Sequence, residues 1–233
     1  MPLAKRLPLV AIDGPAGVGK STVAKLLAER LNFALLDTGA LYRGVALLAK
    51  EGGINWNDDE SIAAMILNAR FEFARVQGKA PRLLINGEDR SEEIRKPDIS
   101  LGASRVSALP AVRMGLLGLQ HQLGQNGGCV VEGRDIGTVV FPSAEVKVFL
   151  TADLTVRAQR RLGDLKERGI ESDLASVTAE TQIRDAQDEQ RAIAPLKPAN
   201  DAVIVNTGTM SIDQVVDFLF ELTKKSTSTL SGA

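Results

Sequence analysis

Eight residues near the start of the chain, Gly14-Pro15-Ala16-Gly17-Val18-Gly19-Lys20-Ser21, narrow its possible folds more than any other stretch. Two glycines with four residues between them are followed by Lys and Ser, and the flanks are those the pattern requires. Leu9-Val10-Ala11-Ile12 leads in as a buried strand would. Thr22-Val23-Ala24-Lys25-Leu26-Leu27-Ala28 leads out with helical spacing. Glycines let the backbone curl so that successive N–H groups converge on one point, a nest for phosphate oxygens. The helix beyond aims the positive end of its dipole at the same anion. In such a loop Lys20 reaches the β- and γ-phosphates and the Ser21 hydroxyl takes one position on Mg²⁺.

The chain has 233 residues, 44% of them apolar and 24% charged, which suits one α/β domain with a small insertion. A net charge of −1 supplies no global basic field, so no nucleic-acid partner is expected. The single cysteine, Cys129, lies in an apolar run and reads as a small buried hydrophobe. Met1 to Pro8 carries no apolar signal region and no apolar run reaches membrane-spanning length, so a cytoplasmic chain with no membrane partner is expected.

Further along, Phe33-Ala34-Leu35-Leu36 reads as a second strand. The turn Asp37 to Arg43 follows, then a helix from Val45 to Lys50 that stops at Gly52-Gly53. Asn57 to Glu60 opens another helix. Phe71 to Val76 alternates with period two, Gly78 to Pro81 reads as a turn, and Arg82 to Asn86 reads as a second strand, together a small inserted hairpin. Helical pattern resumes from Pro97 and carries Ser104; Pro110 suits the first turn of a helix bearing Arg113. Cys129-Val130-Val131 is a strand ending in Glu132-Gly133-Arg134-Asp135-Ile136-Gly137, a turn rich in acids and arginine. Val146 to Leu150 is another strand, and Asp153 is the expected cap of a helix with Arg157, Arg160 and Arg161. Arg168-Gly169 breaks it before a charged helix from Leu174 to Ala192. Ala202 to Val205 is the last main strand, and Ser211-Ile212-Asp213-Gln214 is a capping box. Five main strands alternating with helices predict an α/β fold built on a doubly wound, five-stranded parallel sheet.

A polyphosphate needs more positive charge than one lysine. Arg184, Asp188 and Arg191 are spaced four and then three, sharing one helix face, and Arg157 stands one turn from Arg160 or Arg161. By itself such a row is equally a set of solvated ion pairs. Two arginine-bearing helices joined through a glycine break also suit a lid that closes over phosphates.

The chain resembles the bacterial cytidylate kinases, a family of phosphate-loop nucleoside monophosphate kinases. The resemblance rests on Gly14 to Ser21, on Leu36-Asp37-Thr38-Gly39-Ala40-Leu41-Tyr42-Arg43, on Glu132 through Pro142, and on Arg184-Asp185 through Arg191-Ala192-Ile193-Ala194-Pro195-Leu196. Thr38 stands where Ser is usual in that family and Glu132 where Asp is common; both keep the functional group. The resemblance implies an ATP-dependent, Mg²⁺-assisted phosphorylation of CMP and dCMP. It implies ATP on Gly14, Pro15, Ala16, Gly17, Val18, Gly19, Lys20, Ser21 and Thr22, with Lys20, Arg134, Arg157, Arg161 and Arg191 as the catalytic charges. By the same resemblance Thr38 and Arg43 would lie along the acceptor nucleotide, whose phosphate Arg43, Arg134 and Arg191 would hold. Ser104, Arg113 and Asp135 would read the cytosine edge, and Arg184 with Asp188 the ribose. A carboxylate accepts from the exocyclic amine of cytosine and repels the carbonyl that uracil presents there.

The same resemblance divides one domain, 1–233, into a core (6–66, 106–156 and 193–225), a monophosphate-binding insert near 67–105 and a helical lid near 157–191, and the Ser/Thr-rich end, 226–233, is expected to be a disordered tail. A monomer is expected. His121, Trp56 and Tyr42 read as packing or surface residues. A kinase of another small metabolite would share Gly14 to Ser21 without needing Ser104, Arg113 and Asp135 together. A GTP switch would need an Asn-Lys-x-Asp stretch after a strand, which the sequence lacks.

Overall fold

The computed structural model describes residues 7–74 and 81–230. At its centre strand β1 (Leu9–Asp13) is buried along its whole length. Val10 and Ile12 face one apolar cluster while Leu9 and Ala11 face another. Period-two alternation with both faces buried is why this strand reads as an unbroken apolar run. Around it stand β2 (Ala34–Asp37), β6 (Cys129–Glu132), β7 (Val146–Thr151) and β8 (Val203–Asn206), in the order β2-β6-β1-β7-β8. All four pairings in that sheet are parallel. Helices α1 (Lys20–Leu31) and α8 (Ile212–Leu230) pack on one face. From β1 the chain runs through α1 to the edge strand β2, returns to β6 beside β1, and then crosses to β7 on the other side of β1, so a crevice opens at the carboxyl ends of these strands. Cys129 is buried in the sheet, as expected.

A third apolar cluster joins α2 (Thr38–Glu51), α3 (Asp59–Leu67), α4 (Pro97–Val106) and α5 (Pro110–Gly124) to a small antiparallel sheet. That sheet holds β3 (Phe71–Ala74), β4 (Arg82–Ile85) and a two-residue strand β5 (Glu88–Asp89). The hairpin is therefore present with a third strand that two polar, exposed residues could not announce. Its expected turn lies partly outside the described residues. Helices α6 (Leu154–Glu167) and α7 (Leu174–Glu189) pack together beyond β7.

Several local expectations change. Helix α2 begins at Thr38, because the Asp37 carboxylate caps it by accepting from the Ala40 N–H at 2.9 Å. Asp153 stands at the start of α6 but makes no side-chain cap. Helix α7 ends at Glu189, so Arg191 lies past it, held by its Nε donating to the Asp188 carbonyl at 3.3 Å. The capping box at Ser211 and Gln214 forms in both directions, at 2.8 and 3.2 Å. The expected disordered tail is instead helical as far as Leu230. Within that stretch the Thr227 and Ser228 hydroxyls donate back to the Thr223 and Lys224 carbonyls, so these polar side chains are paired within the helix.

Candidate active site

The carboxyl ends of β1, β2 and β6 open into a cleft of about 700 Å³. On one side runs the glycine loop. Gly14 has φ +147, and a Cβ there would run into the Leu150 carbonyl oxygen, so only glycine fits. Gly17 has φ +78 and a Cβ would stand 2.9 Å from the Arg157 carbonyl oxygen. Ala16, Gly17, Gly19, Lys20, Ser21 and Thr22 line the cleft, whereas Gly14, Pro15 and Val18 form the back of the loop.

Lys20 is buried, with Nζ donating to the Gly14 and Pro15 carbonyls at 2.7 Å each. Burial, reinforced by Arg134, lowers its pKa well below the usual lysine value. The Ser21 hydroxyl donates to Glu132 Oε2 at 3.0 Å. Glu132 is itself buried; burial first, and then the Asp37 carboxylate, push its pKa up to about 7 against the pull of Lys20. A serine hydroxyl backed by a buried carboxylate is a hard-oxygen set suited to a small divalent cation whose other positions are phosphate and water. Among the described residues no cluster of three or more His, Cys, Asp or Glu forms a metal cage.

Across the cleft lie Thr38, Arg43, Ser104, Arg134 and Asp135, with Arg161, Arg184, Asp188 and Arg191 from the α6–α7 side. Thr38 Oγ1 donates to the Glu132 carbonyl at 2.8 Å, tying the start of α2 to the end of β6. Arg43 donates to Asp37 at 2.7 Å and Arg134 Nε to Asp188 at 2.8 Å. At the floor, Arg113 and Asp135 form a buried ion pair, and Arg113 also donates to the Ser107 carbonyl at 3.1 Å. Burial raises Asp135 above the usual carboxylate value, opposed by Arg113, Arg191 and Arg134. Burial also works to raise Asp188, yet Arg134, Arg191 and Arg184 together hold it below that value. Arg184 is lowered to about 10 by burial and then by the positive charge of Arg134 and Arg161.

Three guanidinium nitrogens in this half, Arg43 Nε, Arg161 Nε and Arg191 Nη2, are buried without a hydrogen-bond partner. Unmet donors in a positively charged cleft fit an incoming anion.

Arg157 is the expected site residue that the fold turns away from the cleft. Its guanidinium is spent on the Ala152 carbonyl at 2.9 Å, the Ala16 carbonyl at 3.2 Å and Asp185 at 2.6 Å. Arg161 does line the cleft. Arg113 stands behind Asp135, its guanidinium 5.6 Å from the Tyr42 ring centre. His121 bonds the Val140 carbonyl at 2.7 Å and Trp56 the Ala46 carbonyl at 2.9 Å, both outside the cleft.

Asp13 is a functional candidate that pattern reading passes over. Buried at the end of β1, its two oxygens accept the Ile136 and Gly137 N–H groups at 2.8 Å each, bracing the turn that carries Arg134 and Asp135. Burial raises its pKa to about 6. An acid closing an apolar strand directly before a glycine loop was the available signal.

A model of the family described as cytidylate kinase matches residues 10–225. The cytidylate kinase of Syntrophotalea carbinolica is 50% identical over 214 residues, covering 92% of this chain and 91% of its own. That of Geobacter sp. strain M21 is 47% identical over 217 residues, 93% of each chain. The Pseudomonas aeruginosa enzyme of the same name is 44% identical over 212 residues, 91% of this chain and 93% of its own. Among solved structures, an uncharacterized protein from Eubacterium ventriosum shares the fold, with a TM-score of 0.52 and 14% identity over 93% of this chain and 98% of that one. Across nearly its whole length, through the glycine loop and both halves of the cleft, this chain belongs to the cytidylate kinase family.

Proposed function

We infer that the chain transfers the γ-phosphoryl group of ATP to CMP, giving ADP and CDP. The observation that carries this reading is the Arg113–Asp135 pair buried at the floor of the cleft that the glycine loop lines. Asp135, fixed by Arg113, offers a carboxylate oxygen to the cytosine amine, a charge-assisted bond that uracil lacks. Ser104, on α4, has its hydroxyl 3.1 Å from Gln187 and completes the same wall.

No side chain is needed as a covalent nucleophile or strong base, because the acceptor phosphate is already an oxyanion. Its oxygen attacks the γ-phosphorus in line; that bond forms as the bond from phosphorus to the β–γ bridging oxygen breaks, and ADP leaves with the electron pair. Catalysis is positioning and charge stabilisation. Arg43, Arg134 and Arg191 hold the acceptor phosphate, the first and last through their unpartnered nitrogens. Lys20 and the loop N–H groups hold the donor, while Arg161 and Arg184 face the space between. Arg184 and Asp188 meet the sugar on this reading, which rests on their both lining the cleft. Ser21, with Glu132 behind it, would hold Mg²⁺, which when bound neutralises phosphate charge.

A coupled assay with ATP and a panel of CMP, dCMP, UMP, AMP, GMP and small hydroxyl acceptors, with and without Mg²⁺, tests the assignment. CMP and dCMP are expected to lead, and a different preferred acceptor refutes it.

A further inference from the structure

The outer face of the glycine loop is gripped as firmly as the inner face is open. Thr207, in the turn after β8, is buried, and its backbone N–H donates to the Thr151 carbonyl at 2.8 Å. Arg160 donates from Nη1 to Thr207 Oγ1 at 3.0 Å and from Nη2 to its carbonyl at 2.8 Å. Arginine only donates, so the Thr207 oxygen accepts there, and its single proton is left for a carbonyl. The nearest is that of Val18, 2.9 Å away. One loop peptide earlier, Arg157 Nη1 donates to the Ala16 carbonyl, with Asp185 holding the same nitrogen from α7.

In a trans peptide the carbonyl and the next N–H point in opposite directions. No cis peptide occurs among the described residues. Turning the Ala16 and Val18 carbonyls outward therefore turns the Gly17 and Gly19 N–H groups inward, and both glycines line the cleft. Glycines at φ +78 and +90 have no side chain to hold that orientation themselves. Thr207 and Arg157 do not line the cleft.

We propose that Thr207 and Arg157 are positioning residues of the donor site, clamping the Val18 and Ala16 carbonyls from behind so that the Gly19 and Gly17 N–H groups stay aimed at the donor phosphates. This rests on the reading of Gly14 to Ser21 as the ATP phosphate site. It gives α6 and the last strand a part in ATP affinity without contact to the phosphate, and it gives Arg157 a structural route to catalysis in place of the direct one expected from sequence.

The test uses the full chain, inorganic tripolyphosphate as a probe without a base, and steady-state kinetics. Thr207→Val removes the proton on the clamp at nearly constant volume. It is expected to raise both the tripolyphosphate Kd and the ATP KM about five- to tenfold, the orienting effect of one hydrogen bond. The CMP KM is expected to stay unchanged, and Thr207→Ser to restore both values. If the ATP KM rises while tripolyphosphate binding is normal, Thr207 acts on the adenine and the proposal fails. If only the melting temperature falls, the role is structural and the proposal fails equally. Should Thr207→Val not fold, Asp185→Asn loosens the other grip; a two- to threefold loss of tripolyphosphate affinity supports the clamp and no loss overturns it. A wild-type chain that neither binds tripolyphosphate nor uses ATP would remove the donor-site reading itself.

Discussion

The glycine loop and the acceptor half of the cleft meet at the same edge of the sheet by opposite routes. The loop is one contiguous stretch whose ligand groups are mainly backbone N–H, shaped by glycines and one helix start. The acceptor half collects side chains from α2, α4, α5, the turn after β6 and the end of α7. Three of its arginines are already paired with acids, Arg43 with Asp37, Arg113 with Asp135 and Arg134 with Asp188, while Arg184 and Arg191 add further positive charge. A backbone nest recognises phosphate of any origin, whereas a network of paired side chains is specific and breakable. On the proposed reading, that difference makes the donor site general and the acceptor site selective.

Mutations can break this comparison from either side. The largest effect is expected from Lys20→Ala, which removes the one side-chain cation rooted in the loop. Turnover should fall about 10²–10³-fold with the folded state intact by circular dichroism. Near-normal turnover would mean that the loop is not where the donor binds.

Next comes Asp135→Asn, which keeps shape but removes charge and offers a donor to uracil. The ratio of kcat/KM for CMP over UMP should narrow by about 10–100-fold, the worth of one charge-assisted hydrogen bond. Asp135→Ala should in addition destabilise the fold by about 3–5 kcal/mol in chemical denaturation, because Arg113 is left buried and unpaired. If both substrates decline equally in both variants, Asp135 serves Arg113 alone and selectivity lies elsewhere.

Arg191→Lys sharpens the comparison at a smaller scale. A point charge cannot reproduce a fork whose Nη2 is the open donor, so the CMP KM should rise about tenfold, nearly as far as in Arg191→Ala. Full rescue by lysine would reduce its part to charge alone. The smallest effect is expected far from both halves: Ser211→Ala removes one side of the α8 capping box and should cost about 1 kcal/mol of stability with turnover unchanged.

Much of this architecture was legible because it is local. The buried run of β1, the glycine loop, the Pro110 helix start and the Ser211 box each follow from a few neighbouring residues obeying steric and hydrogen-bonding rules. Resemblance supplied the acceptor residues, and the structure gathers Thr38, Arg43, Ser104, Arg134, Asp135, Arg184, Asp188 and Arg191 at one cleft. Local reading failed where a partner was remote. Nothing near Arg157 indicates that its guanidinium faces the back of the loop, where the Ala16 carbonyl lies 141 positions away, whereas the Asp37 cap of α2 is a local signal that the turn reading passed over.

What the sequence determined alone was therefore the strand–loop–helix unit, the α/β alternation and the types of charge available. The tertiary structure decided which charges pair and which stay open. Asp13 meets Ile136 across 123 positions, Ser21 meets Glu132 across 111, and Thr207 meets Val18 across 189. The physical reason is range: dihedral preference and periodicity act over a few residues, whereas a buried polar group must find its partner wherever the packed chain brings one.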